Sequence, residues 1–153
     1  MFVRSVIVGV DAKLNGSAQT IDRVEDQIVS EYNRLYADSS GARRQAIVKK
    51  TQELDEELKS VGAGIRLIAL KKQDSIGSYF LCSTRDSLQQ LRQAYKSGTL
   101  KQVLENIFNI LIQDDTEIRL KRIVWNKQQY RMSANYLNTS TGYVTNVLSA
   151  SYS

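Results

Sequence analysis

The stretch IRLIALKKQDSIGSYFLCSTRDSLQQLRQAYKSGTLKQVLENIFNIL, Ile65 to Leu111, decides the fold. It opens with two β-prone runs, Ile65 to Leu70 and Ser78 to Cys82, separated by Lys72-Gln73-Asp74-Ser75-Ile76-Gly77, which is polar except for Ile76. Two such runs around a short polar linker read as a β-hairpin. The period then changes. Leu88, Leu91 and Tyr95 fall three or four apart, with Ser83 or Thr84 placed as N-cap and Asp86 in the first turn, up to a break at Gly98. Thr99-Leu100-Lys101-Gln102 fits a capping box, and Leu100, Val103, Leu104, Ile107, Phe108 and Leu111 give the next helix one apolar side. This predicts a bend at Gly98 between two packed helices.

Upstream, Phe2 to Val10 is rich in β-branched residues and ends at Asp11, which predicts a first strand. From Thr20, the residues Ile21, Val24, Ile28, Tyr32 and Leu35 share one helical face. Asp38-Ser39-Ser40-Gly41 interrupts it, and Ile47, Leu54, Leu58 and Val61 continue a second stripe that Gly62-Ala63-Gly64 closes. Residues 20–61 therefore read as a long helical hairpin, with Glu25, Asp26, Glu53, Asp55, Glu56 and Glu57 on solvated outer faces. Downstream, Asp114-Asp115 ends the helix before a last strand, Glu117 to Trp125, with Ile118, Leu120 and Val124 on one face and Ile123 on the other. Tyr130, Ala134 and Leu137 mark a short helix in a polar, Tyr-rich tail, residues 126–153, whose end from Asn138 onward reads as loosely ordered.

The order is strand, helical pair, strand, strand, helical pair, strand. This is the α+β, ferredoxin-like β-α-β-β-α-β sandwich, residues 1–125: a four-stranded, mainly antiparallel sheet with helices on one side. Val6, Val8, Val10, Ile65, Leu67, Phe80, Cys82, Ile118 and Leu120 are the set expected under the helices. That leaves Ile7, Ile68, Leu70, Tyr79, Leu81 and Ile123 facing outward, more apolar surface than a wet sheet face needs. Bordered by Arg66, Arg119 and Lys121, it reads as a contact surface, and Arg66, Ile68, Leu70, Tyr79, Arg119 and Lys121 are its candidate partner-binding residues.

Composition narrows the chemistry. The 153 residues include 21 Lys and Arg against 16 Asp and Glu, no His and no Pro, and one cysteine, Cys82. Without His, the usual nucleophile-base triads and His-ligated zinc sites have no parts, and one thiol cannot form a metal cluster. Gly62-Ala63-Gly64 lacks the Lys-Ser/Thr that a phosphate loop needs. The expectation is a chain without catalytic residues, metal or cofactor. The apolar run Val6 to Val10 is too short for a membrane span or a signal core, so a soluble, cytoplasmic protein is expected. Residues 1–60 hold 9 basic and 10 acidic side chains and residues 61–153 hold 12 and 6, so the positive charge belongs to the second part.

From Tyr79 to Leu111 the chain resembles the N-terminal domain family of TRADD, the adaptor of tumour necrosis factor receptor signalling. The resemblance is carried by a strand ending near Cys82, a helix with Leu91 and Ala94-Tyr95, the break at Ser97-Gly98, and Leu100, Val103 and Leu104 ahead of the last strand. More weakly, it extends over residues 65–125. The resemblance implies an α-β sandwich that acts as a protein-interaction module, docking on TRAF-like signalling adaptors through its sheet side. The chain departs from the family in its long hairpin between the first two strands. Self-association is a further expected mode. The alternative is a ferredoxin-like domain that binds RNA or another nucleic acid, for which Gly77-Ser78-Tyr79-Phe80-Leu81 faintly matches a third-strand stacking motif.

Overall fold

The computed structural model of the chain describes residues 4–37, 44–113 and 117–138. The elements are β1 (Val6–Leu14), α1 (Ala18–Ala37), α2 (Arg44–Lys59), β2 (Ile65–Lys72), β3 (Ile76–Cys82), α3 (Arg85–Ser97), α4 (Thr99–Ile112), β4 (Leu120–Val124) and α5 (Lys127–Asn138). The strands form one sheet in the order β2-β3-β1-β4 with every neighbouring pair antiparallel, and the fold is α+β. All nine residues expected under the helices are buried. They meet Ile28, Tyr32 and Leu35 of α1, Leu54 and Leu58 of α2, Leu88 and Leu91 of α3, and the six apolar residues named on α4.

Two β-bulges decide which residues join that core. Leu67 pairs with Phe80 and Ala69 with Tyr79, so Ile68 is an extra residue in β2. In a strand the side chains alternate, and one inserted residue exchanges the faces of everything after it. Leu70, expected outside, therefore turns inward opposite Ser78 and is 2% exposed. Strict alternation would have put Ala69 in the core and Leu70 in water. Burying a Leu side chain is worth about 1.5–3 kcal/mol, more than the roughly 1 kcal/mol net of one ladder hydrogen bond. In β4, Lys13 pairs with Arg122 and Leu14 with Leu120, which leaves Lys121 as the extra residue. Ile123 thereby turns toward Ala12 and the core, while Val124, expected inside, is exposed. Without this bulge, alternation from Leu120 would drive the guanidinium of Arg122 into an apolar layer.

Other boundaries move for local reasons. β1 runs past Asp11 to Leu14, because Asp11 falls on the outward parity while Ala12 and Leu14 stay buried. The hairpin linker shrinks to residues 73–75, with Ile76 fully buried in β3. The last strand begins at Leu120 instead of Glu117, since side chains of α4 hold the preceding backbone. Asn109 accepts from the Ile118 N–H (2.7 Å) and donates to its carbonyl (3.0 Å), and Glu105 accepts from the Leu120 N–H (2.9 Å). Thr84 caps α3 as expected, accepting from the Ser87 N–H (3.0 Å). The capping box expected at Thr99 is not made, because Gly98, without a side chain, is the residue before α4. The breaks expected at Asp38–Gly41 and Asp114-Asp115, and the chain from residue 139, lie outside the described residues.

Glu25 is not on a solvated face: it is 4% exposed beside Asp22, Asp26 and Lys72. Lys72 comes to the helix side of β2 because of the bulge, and its ammonium bridges Asp22 and Asp26 (2.8 Å to the latter), fixing α1 to the sheet. Burial raises the Glu25 carboxyl above its ordinary range, with the Lys72 charge opposing.

A carboxyl whose folded pKa is raised favours the folded state most when protonated, and that advantage is lost as pH rises through its folded pKa. Glu25→Gln should therefore have the higher urea midpoint at pH 7, and the two midpoints should converge as pH falls below the ordinary glutamate value of about 4.5. Gly98 sits at φ +87° with nothing within 4 Å of an added Cβ, so Gly98→Ala should cost about 1–2 kcal/mol from backbone strain alone. Equal stability of Gly98→Ala and the parent in urea would contradict the strain.

Candidate functional site

The outward face of the sheet follows from the register. One row across it is Arg66, Leu81 and Ile7, the next is Ala69, Tyr79 and Gly9, the third is Lys71, Gly77, Asp11 and Val124, and the last is Lys13 and Arg122. Ile7 is 59% exposed and Ile68, at the bulge, 40%; Tyr79 and Leu81 are half-buried. Of the six sequence-predicted residues, Arg66, Ile68 and Tyr79 share this face. Leu70 does not, for the reason given above. Lys121 is the exposed extra residue of the β4 bulge, and Arg119 precedes the strand with its charge paired to Glu117 (3.2 Å). Arg66 thus lies at the opposite end of the face from Arg119 and Lys121, and the three do not form one rim.

Tyr79 lies across the middle of the face, a position made possible by two glycines. A Cβ on Gly9 would stand 3.1 Å from one edge of its ring, and a Cβ on Gly77 would stand 3.1 Å from the other. Lys71 Nζ is 5.5 Å from the ring centroid and the Tyr79 hydroxyl accepts from the Gln73 amide (3.0 Å). The ring is therefore fixed on a floor of backbone.

α5 supplies a wall. β4 covers β1 only from Asp11 to Leu14, and α5 packs against β1 and α3. Between Tyr79 and α5 runs a groove of about 420 Å³ lined by Ile7, Gly9, Asp11, Gln73, Tyr79, Gln129, Met132 and Ser133. The position of α5 depends on Arg92 of α3. This side chain is 9% exposed, donates to the Trp125 carbonyl (3.2 Å), and sits 4.9–5.1 Å from the rings of Tyr95, Trp125 and Tyr130. The cation-ring attractions and the bond to a carbonyl are what balance its burial. Sequence reasoning missed Gly9, Gly77, Lys13, Lys71, Arg122 and Met132. The usable signal was Arg122, which cannot share an inward parity with Leu120.

Elsewhere the chemistry is sparse. Cys82 is fully buried, and burial pushes its thiol up to about 12. Among the described residues no three His, Cys, Asp or Glu side chains converge to hold a metal ion. A cleft of about 880 Å³ beside α2 mixes Lys49 and Lys59 with Glu53, Asp55 and Glu56 and focuses neither sign. No helix among the described residues is long and apolar enough to cross a membrane. No family model, curated protein or solved structure matches the chain.

Arg92→Ala should remove the clamp on α5. The expected cost is about 2 kcal/mol or more in urea unfolding, with faster tryptic cleavage at Lys127 and Arg131. Unchanged cleavage would mean that Leu137 and the aromatic contacts hold α5 alone.

Proposed function

We propose that the chain is a non-enzymatic protein-interaction module that binds a partner on the open face of its sheet. The observation that carries this reading is the exposure of Ile7 and Ile68 on that face, around an immobilised tyrosine, while the other face is filled by helices. We further read the architecture as ferredoxin-like with a helical hairpin between β1 and β2. The strand order, taken from β4 as 4-1-3-2, and the two helices between β1 and β2 support that reading. An adaptor of the TRADD N-terminal class, acting on TRAF-like partners or on itself, is the form that the resemblance over residues 65–125 favours. A cytoplasmic setting suits a reduced thiol held in the core.

One observation favours a second reading. A flat tyrosine on a sheet with Arg66, Lys71, Lys13 and Arg122 on the same face is also a platform on which a nucleic-acid base could stack.

The test compares the parent with Ile7→Ser/Ile68→Ser in affinity capture from cell extract, alongside binding to random single-stranded RNA at two salt concentrations. Capture of defined proteins should fall at least tenfold in the variant, with an unchanged urea midpoint, and RNA binding should be weak at both salts. Equal capture by parent and variant would sink the protein reading. Salt-sensitive RNA binding that Tyr79→Ala abolishes would replace it with the nucleic-acid one.

A further inference from the structure

Lys13 and Arg122 stand directly opposite each other on the outward face. Like charges in that position repel, and neither side chain has an ion pair or hydrogen bond among the described residues. Lys71 lies in the next row but on the far edge strand, beside Tyr79, and Asp11 is the only carboxylate among the paired residues of the face. The groove between Tyr79 and α5, with Ile7 and Met132 at its sides, lies over Gly9. From Gly9 to Lys13 is four residues along one strand, or about 14 Å at the usual rise.

We propose that these two features form one receptor for an extended acidic segment of a protein partner. An apolar side chain of the segment enters the groove at Tyr79, and a carboxylate about four positions away meets Lys13 and Arg122. The spacing must be even, because only alternate side chains of an extended chain point to one side. The residue midway lies over Asp11, which accepts hydrogen bonds and repels carboxylates, so a Thr or Ser fits there and an acidic residue does not. This inference rests on the proposed protein-binding role of the face and adds the chemistry of the partner. Residues 139–153 contain no Asp or Glu side chain, so they do not match an acidic segment. A second copy would bring the same cations to the face if it docked sheet to sheet.

The probe is a short fluorescent peptide with one central Leu, Thr two positions to each side and Glu four positions to each side, in a Ser background. Measured by polarisation against the full chain, Lys13→Glu and Arg122→Glu should each weaken it at least tenfold and flatten its salt dependence. Ile7→Ser should weaken it equally at all salts. Lys13→Glu should also raise the urea midpoint, since it turns a repulsive cross-strand pair into an attractive one; binding loss with that gain cannot be misfolding. A peptide with the Glu residues moved by one position should bind at least fivefold more weakly.

Equal binding of the shifted peptide, or no effect of either charge reversal, overturns the proposal. So does displacement of the peptide by single-stranded RNA that itself binds more tightly through Tyr79, or self-association on the face in sedimentation that excludes the peptide. If extract proteins are captured through Ile7 and Ile68 while the peptide fails to bind, this inference falls and the protein-binding reading stands. If the Ile7→Ser/Ile68→Ser variant loses no partner, both fall.

Discussion

The fold depends on parity. Side chains along a strand alternate with a period of two, so a sheet with one covered face has one correct phase at every position and no intermediate. β1 and β3 keep a single phase from Val6 to Ala12 and from Ile76 to Cys82, and they are the two central strands of the sheet. The two edge strands each change phase once, at Ile68 and at Lys121. Those shifts place Leu70 and Ile123 in the core, send Lys72 to Asp22 and Asp26 on α1, and leave Lys71 and Arg122 on the open side. The core, the attachment of α1 and the charge of the open face follow from where two extra residues sit.

The same demand that backbone groups be paired explains how α4 and β4 are joined. A buried N–H or carbonyl without a partner costs as much as a lost hydrogen bond. The N–H and carbonyl of Ile118 and the N–H of Leu120 find their partners in Asn109 and Glu105 of α4, while the Arg119 carbonyl accepts from the Asn15 N–H just past β1 (2.9 Å). The Asn109 amide sets an N–H donor beside a carbonyl acceptor, as a peptide group does, which is why it can serve both ends of Ile118, and it also donates to the Glu105 carbonyl (2.9 Å). These contacts fix where β4 begins, opposite Leu14; at its other end the chain leaves the sheet after Val124, opposite Asp11, and α5 then packs against β1.

What the sequence made legible was whatever is periodic or punctuated. The four strands, the two helical pairs, the cap at Thr84 and the positive φ at Gly98 were readable, because alternation, 3.6-residue spacing and glycine each leave a local mark. The nine inward residues were readable for the same reason. Leu70, Ile123 and Glu25 were not. The first two depend on bulges, which are set by which of two neighbours gains more from burial across a sheet whose pairing a linear reading does not contain. Glu25 depends on Lys72 arriving from a strand far along the chain. The candidate face was legible at Ile7, Arg66, Ile68, Tyr79 and Leu81, while its glycines and the cations Lys13, Lys71 and Arg122 were not, since their meaning comes from the residue opposite.

Arg92 shows how a feature without periodicity can shape the candidate surface. A basic residue amid a polar helix reads as solvated, yet Arg92 is ringed by Tyr95, Trp125 and Tyr130 and bound to a carbonyl. No carboxylate among the described residues neutralises it, so its charge is balanced by ring faces that come from the segment after β4 as well as from its own helix. Arg92 therefore ties the chain just past the sheet to α3, and with it the helix whose Met132 and Gln129 face Tyr79. The groove on the open face is thus held from behind, by a cation that never reaches it.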